Sequence, residues 1–282
     1  MKNKTTLDGF RRDLLATGSY STPDERRAPK RAPKSALTTV RFSIGLSSVF
    51  PRCAIDEAIG RLSSDIWAHY CFSTVQIAEA LGMNVFTDGW KAREAHKGPV
   101  VYLCNHMSTV ETILLPPILL TYGPFNTVVK ASLAHLPFLE NAAKHMGLVP
   151  VGRKSPREDL MNILRVGEER LANGESFLIF PQGSREPVFS RRVYSSIGAK
   201  LAHKAGVPIC PIAVDTRCQP TRTTGIFKKV FKDFGTVDTS FDIRCSAMPL
   251  IPCTNAKEMH ALSFEAIAGR LKEWNLPVED VK

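Results

Sequence analysis

The spacing of apolar and polar positions changes character near Gly98-Pro99. Before that point, between Ile66 and Met83, apolar residues recur every three or four positions, which is the period of a helix with one buried face. The apolar stripe consists of Trp67, Cys71, Val75 and Ala78, and the polar side carries His69, Ser73, Gln76 and Glu79. The pattern predicts an amphipathic helix, preceded by a shorter helix over Ile55 to Leu62. Such a helix either packs on the rest of the protein or lies in a membrane interface.

After Gly98-Pro99, short apolar runs alternate with helical stretches. The runs typical of buried strands are Val100 to Cys104, Thr127 to Val129, Phe177 to Phe180 and Pro208 to Val214, with Phe241 to Cys245 as a later candidate. Helices are predicted over Arg157 to Ala172, which ends at Asn173-Gly174, and over Ala256 to Trp274. This alternation predicts an α/β fold with a single mixed, largely parallel sheet flanked by helices.

The N-terminal stretch has a different composition. Residues 1–41 contain ten Lys or Arg against four Asp or Glu, and so supply more than half of the net charge of +10. With three prolines and few large apolar residues, this stretch is expected to form a disordered arm, because it buries too little surface to offset its ordering entropy. The arm is either a solvated tail or a contact for an anionic membrane surface. No nucleic-acid partner is expected, because no base-reading motif accompanies the charge.

The first candidate for chemistry directly follows the first predicted strand of the α/β region. His106 stands at the strand end, and Glu111 follows five residues later, at the start of an apolar run. A histidine at this place lies at the rim of the sheet, and a carboxylate in the first helical turn can hydrogen-bond its ring. The pair suits a general base with an orienting acid, although the same spacing also occurs in unrelated surface or core residues. Because no G-x-S-x-G nucleophile motif is present, the nucleophile is expected to be a hydroxyl or amine of the substrate.

A second candidate is the segment from Phe180 to Arg185, with the sequence FPQGSR, at the end of the most apolar strand. Its Gly permits close backbone approach, its Ser offers a hydroxyl, and its Arg offers a bidentate fork, so the segment is either an anion cradle or an ordinary turn. Further cations at strand ends are Lys130 and Arg153. Because ligands bind at the carboxyl ends of parallel strands, these cations together indicate an anionic ligand.

In this order, the blocks resemble the glycerolipid acyltransferase family, of the 1-acyl-sn-glycerol-3-phosphate (lysophosphatidic acid) acyltransferase type. The matching blocks are Asn105-His106-x4-Glu111, Gly147 to Arg153, Phe180 to Arg185, and Val207-Pro208-Ile209-Cys210-Pro211, with Lys130 to Pro137 between the first two. The resemblance covers about residues 85–215. It implies transfer of a fatty acyl chain from an acyl-CoA or acyl-ACP thioester to the hydroxyl of a lysophospholipid, most directly 1-acylglycerol-3-phosphate, with no metal and no bound cofactor.

The resemblance also implies residue roles. His106 would deprotonate the acceptor hydroxyl and Glu111 would orient it. The residues expected to bind substrate are Asn105, Lys130, Arg153, Gln182, Gly183, Ser184 and Arg185. Two positions depart from the family pattern, because Glu111 replaces Asp and Gln182 replaces Glu. The departures leave two alternatives open: an acyltransferase for another acceptor such as a lyso-aminolipid, and an inactive relative that binds lipid.

With the resemblance, the sequence predicts four regions. They are a basic, disordered arm (1–45), an amphipathic helical segment that docks on a membrane (46–84), the acyltransferase domain (85–250), and a C-terminal helix that packs on that domain (251–282). No run of about 18 apolar residues is present, which argues against a transmembrane helix. The predicted location is therefore peripheral or monotopic, on the cytoplasmic face of a membrane.

Overall fold

The computed structural model describes residues 5–27, 35–131, 140–152, 155–220 and 236–280. The helices in this part of the chain are α1 (Leu7–Thr17), α2 (Ala36–Ser47), α3 (Val49–Ala58), α4 (Ser64–Ala80), α5 (Lys91–Ala95), α6 (Val110–Leu119), α7 (Glu140–His145), α8 (Pro156–Ala172), α9 (Ile197–Ala205) and α10 (Ala256–Glu273). The strands are β1 (Tyr20–Ser21), β2 (Val85–Asp88), β3 (Val101–Cys104), β4 (Phe125–Lys130), β5 (Leu148–Val151), β6 (Ser176–Ile179), β7 (Phe189–Ser190), β8 (Ile209–Asp215), β9 (Ile243–Ala247) and β10 (Val278–Glu279).

An eight-stranded sheet forms the centre, in the order β1-β2-β9-β8-β3-β6-β4-β5. Strand β3 is parallel to β6 and β8, and β4 is parallel to β5 and β6. Strands β8 and β9 are antiparallel, as are β1 and β2. The prediction of a single mixed, largely parallel sheet flanked by helices is confirmed. Because β3, β4, β5, β6 and β8 all run the same way, the segments that follow them emerge at one edge of the sheet.

The central strands are buried on both faces, which explains why they lack polar alternation in sequence. On one face, helices α4 and α6 pack through residues that include Trp67, Phe72 and Leu114. On the other face, α8, α9 and α10 pack through residues that include Ile163, Leu201 and Phe264. The sheet therefore holds the segments at its carboxyl edge between two rigid helical layers.

The prediction of a disordered arm over residues 1–45 is wrong for the described part of that stretch. Helix α1 buries Leu7, Phe10 and Leu14, and the ring of Phe10 contacts those of Tyr20 and Phe72. Strand β1 then joins the edge of the main sheet beside β2. The apolar residues are few, but their i, i+3/i+4 spacing gives a buried face, which the average composition conceals. Residues 28–34, which hold three of the basic residues, lie outside the described part.

The amphipathic helix predicted from Ile66 to Met83 is α4, and its apolar stripe is buried against the core. The shorter helix predicted over Ile55 to Leu62 lies earlier, as α3, because the apolar and polar residues before Ile55 already continue the helical period. No helix in the described ranges is both long enough and apolar enough to cross a bilayer.

Candidate functional site

His106 and Glu111 form a direct pair at the carboxyl edge of the sheet. The His106 Nδ1 atom lies 2.9 Å from Oε1 of Glu111. The side chain of Glu111 is fully buried, whereas that of His106 is 15% exposed. The imidazole stacks on the ring of Phe180, with 4.4 Å between ring centroids. One ring nitrogen is thus turned to the carboxylate, and the other, Nε2, can act as a proton acceptor.

The Glu111 carboxylate has an unusually complete set of donors. Its Oε1 accepts the backbone N–H groups of Met107 and Ser108, at 2.6 and 2.7 Å. Its Oε2 accepts the hydroxyls of Ser108 and Thr216, both at 2.7 Å. Burial alone would raise the pKa of the Glu111 carboxyl, but the hydrogen bonds and the nearby imidazole outweigh it and lower the pKa below its ordinary value. The carboxylate therefore stays charged beside the His106 ring, where it can stabilise a positive charge that develops during a reaction.

Two residues next to this pair differ from the sequence-based expectation. Asn105 was expected to bind substrate, but its amide exchanges two hydrogen bonds with the backbone of Val214, at 2.9 and 2.7 Å. It is buried and ties β3 to β8, and its role in binding substrate stays a prediction. Thr216, which follows β8, was missed. No motif marks it, because its contact with Glu111 spans 105 residues of sequence.

The segment from Phe180 to Arg185 follows β6 and lies beside the pair. Arg185 donates from Nη1 to Oγ1 of Thr109, at 2.7 Å, one residue before the helix that carries Glu111. Gly183 adopts a left-handed φ of 68°, and Gly183 and Ser184 are exposed. The positive φ is the reason a glycine is needed at this turn. Gly183 and Ser184 are exposed and Arg185 is half-buried, so all three stay candidates for the predicted anion cradle.

The other predicted binding residues divide into three cases. Lys130 is exposed at the carboxyl end of β4, which β6 separates from β3. Arg153 and most of the segment from Lys130 to Pro137 lie outside the described residues. Gln182 is buried, and its amide bonds to the backbone N–H of His106 and the carbonyl of Val188. Both ends of the amide therefore have a partner in the protein, and its contact with substrate stays a prediction.

The sequence of this chain is similar to those of known acyltransferases. A family model described as Acyltransferase matches residues 85–215. A 1-acyl-sn-glycerol-3-phosphate acyltransferase of Pseudomonas aeruginosa is 36% identical over 115 residues, covering 41% of this chain and 44% of the relative. A chloroplast 1-acyl-sn-glycerol-3-phosphate acyltransferase of Arabidopsis thaliana is 30% identical over 131 residues, covering 45% of this chain and 35% of the relative.

A third relative carries a different name. A lyso-ornithine lipid O-acyltransferase of Pseudomonas aeruginosa is 29% identical over 124 residues, covering 44% of this chain and 46% of the relative. The matched segments thus span less than half the length of these three curated relatives.

The fold has a counterpart of known structure. The crystal structure of the 1-acyl-sn-glycerophosphate acyltransferase from Thermotoga maritima matches with a TM-score of 0.61 at 17% identity, covering 85% of this chain and 95% of that one. The likeness at this identity concerns the fold. The family model and the Pseudomonas aeruginosa relative confirm the resemblance that the ordered sequence blocks indicate: residues 85–215 match the Acyltransferase family.

Proposed function

We propose that this protein transfers a fatty acyl chain from an acyl-CoA or acyl-ACP thioester to the hydroxyl of a lysophospholipid, with 1-acylglycerol-3-phosphate as the acceptor. The observation that carries the proposal is the 2.9 Å contact between His106 Nδ1 and the buried, charged Glu111. The pair suits a general base whose ring orientation is fixed by the carboxylate, and the side chain of His106 is 15% exposed. The names of the relatives from Pseudomonas aeruginosa and Arabidopsis thaliana support the choice of acceptor.

The proposed reaction needs no protein nucleophile. His106 Nε2 takes the proton of the acceptor hydroxyl as its oxygen attacks the thioester carbonyl carbon. The C–S bond then breaks, and the thiolate leaves with the proton that the imidazolium returns. Glu111 accepts the Nδ1–H throughout, so that the positive charge formed on the ring is stabilised where it develops. Thioester and hydroxyl are exchanged for ester and thiol without a redox change.

The anionic head group is proposed to bind beside this pair. Arg185 offers its guanidinium from a position fixed by Thr109, and Ser184 offers an exposed hydroxyl. Gly183 allows the backbone of the loop to approach a phosphate closely. Lys130 and Arg153 are proposed as further cations for the same group.

A membrane surface is proposed as the place of the reaction, because a diacyl product does not dissolve in water. The surface of α2 and α3 supports this. Four large aliphatic residues on these helices or directly after α3 are more than half exposed: Leu37, Ile44, Ile55 and Ile59. Exposed Arg41 and Arg52 lie on the same two helices and suit anionic lipid. The proposed location is peripheral, on the cytoplasmic face of a membrane.

The membrane proposal is tested by sedimentation with anionic vesicles. Ile44→Glu is expected to reduce the bound fraction several-fold, because a carboxylate would enter the lipid interface. Met161→Glu is the matched control, since Met161 is also about 60% exposed but lies on α8. Equal loss of binding in both variants, or in neither, would contradict docking through α2 and α3.

A second acceptor class is favoured by the lyso-ornithine lipid relative. An assay with purified protein, acyl-CoA or acyl-ACP, and a panel of lysophosphatidate and lyso-ornithine lipid separates the candidates by mass spectrometry of the products. Formation of phosphatidate that His106→Ala lowers by at least about 100-fold is the expected result. Acylation of lyso-ornithine lipid alone would show that this lipid, and not 1-acylglycerol-3-phosphate, is the acceptor. No thiol release with any acceptor would favour the inactive lipid-binding relative.

A further inference from the structure

The side chain of Gln182 lies directly against the backbone of His106. Its Oε1 accepts the His106 N–H at 2.8 Å, and its Nε2 donates to the carbonyl of Val188 at 3.3 Å. The N–H can only donate and the carbonyl can only accept, so an uncharged amide matches both partners. The side chain is only 7% exposed.

The backbone carbonyl of His106 also has a partner in this segment. The backbone N–H of Glu186 donates to the carbonyl of His106 at 2.8 Å. His106 lies beyond the last ladder pair of β3, where regular sheet hydrogen bonds end. Both polar backbone groups of His106 are therefore fixed by the segment from Gln182 to Glu186.

The residues that directly follow this segment contact the C-terminal part of the chain. Strand β7 begins at Phe189, whose N–H donates to the carbonyl of Pro277 at 3.1 Å, and it pairs in parallel with β10. Arg191, next along the chain, donates to Asp280 at 2.8 Å and lies over the ring of Phe264. The contacts around Gln182 thus connect the backbone of His106 to strand β10.

The space beside Gln182 is too small for a head group. A cavity of about 10 Å³ is lined by Gln182, Asn105 and Met107 on one side and by Leu276 and Pro277 on the other. That volume holds no more than about one water molecule. The amide oxygen and the amide nitrogen each have a hydrogen-bond partner in the protein.

We propose that Gln182 is a positioning residue: it fixes the backbone of His106, and its amide rather than a carboxylate is required for that task in this chain. A carboxylate could still accept the His106 N–H, but it would face the Val188 carbonyl with no proton to donate. It would also place a buried negative charge close to the imidazole. The inference rests on the proposed function insofar as it takes His106 as the base.

Two variants test the proposal. Gln182→Met keeps the side-chain volume and removes both hydrogen bonds, and we expect kcat to fall about tenfold while KM for the acceptor stays within about twofold. Gln182→Glu restores the contact with the His106 N–H. It is expected to recover part of kcat and to move the acid limb of the pH–rate profile to higher pH, because a nearby carboxylate favours the protonated imidazole.

Ser184→Ala is the matched comparison in the same loop, with an expected increase in KM because Ser184 is exposed in the proposed cradle. A second readout does not depend on turnover: backbone amide exchange at His106 should accelerate in Gln182→Met. A rise in acceptor KM with unchanged kcat in Gln182→Met would overturn the proposal in favour of head-group binding. Unchanged amide exchange at His106 would also overturn it. Absence of turnover in the wild type would refute the proposed function, and amide exchange would then still decide the positioning role.

Discussion

Two buried carboxylates, Glu111 and Glu79, both accept several hydrogen bonds, but they differ in the kind of partner they face. Glu79 accepts hydroxyl hydrogen bonds from Tyr20, Thr22 and Thr5, at 2.5, 3.0 and 3.0 Å. Glu111 accepts two hydroxyls as well, but it also accepts two backbone N–H groups and faces an imidazole. Both are polar groups whose burial is offset by a full set of donors.

The difference lies in what the partners can do with a proton. Burial, followed by the hydrogen bond to Glu79, raises the pKa of Tyr20 above its ordinary value, so that this hydroxyl remains a fixed donor. The partner of Glu111 is an imidazole, a group that can both accept and donate a proton, and the side chain of His106 is 15% exposed. Burial of an acid with satisfied hydrogen bonds therefore does not identify a catalytic site. The proposed role of His106 rests on its place at the carboxyl edge of the sheet as well as on its buried acid.

The largest expected effect distinguishes these two acids by activity. Glu111→Gln keeps the shape of the side chain and removes the charge that stabilises the imidazolium, so we expect kcat to fall by about 100-fold. Initial rates with a saturating acyl thioester measure it. A kcat within about threefold of the wild type would show that His106 does not depend on the carboxylate.

The equivalent change at Glu79 should act on stability. Glu79→Gln weakens hydrogen bonds that join α4 to β1 and to the residues before α1, and we expect the free energy of unfolding to fall by about 2–3 kcal/mol. Urea unfolding measures this change, with kcat expected to remain unchanged in the folded variant. A large loss of kcat without loss of stability would remove the contrast between the two acids.

A smaller effect is expected from a single hydroxyl. Thr216→Val is nearly isosteric and removes one donor to Glu111 Oε2, so kcat is expected to fall about threefold to tenfold, up to ~1.4 kcal/mol in the barrier. Thr22→Val removes one donor to Glu79 and serves as the matched control. If both variants lower kcat alike, the hydroxyls support the fold in general and not the His106–Glu111 pair.

The smallest expected effect is the pH dependence of stability. The pKa of Glu111 is lowered in the folded protein, so its ionised form stabilises the fold above the pKa it has in the unfolded chain. That contribution is lost as the pH falls through the folded pKa. The stability difference between the wild type and Glu111→Gln should therefore become smaller as the pH decreases below about 4.5. Unfolding curves from pH 7 to pH 3 measure it, and a difference that grows on acidification would contradict the direction.

Much of the fold was predictable, because the central strands are continuous apolar runs and the main helices show a clear helical period. Predicted strand ends near β3, β6 and β8 agree with the structure to within one residue. The prediction failed where composition was averaged over a long stretch. Helix α1 needs only three buried residues to dock, and the surrounding charges concealed them.

The sequence by itself determined the resemblance to an acyltransferase family, the order of the motifs that follow the parallel strands, and the pairing of His106 with Glu111, because these depend on short segments and local spacing. Only the tertiary structure decided the contacts of Thr216, Gln182 and Asn105, and the burial of Glu79. Their partners lie far away in sequence or belong to the backbone of another segment. Hydrogen bonds of this kind leave no periodicity in the chain, since any residue with a suitable donor or acceptor can form them once the fold brings the atoms together.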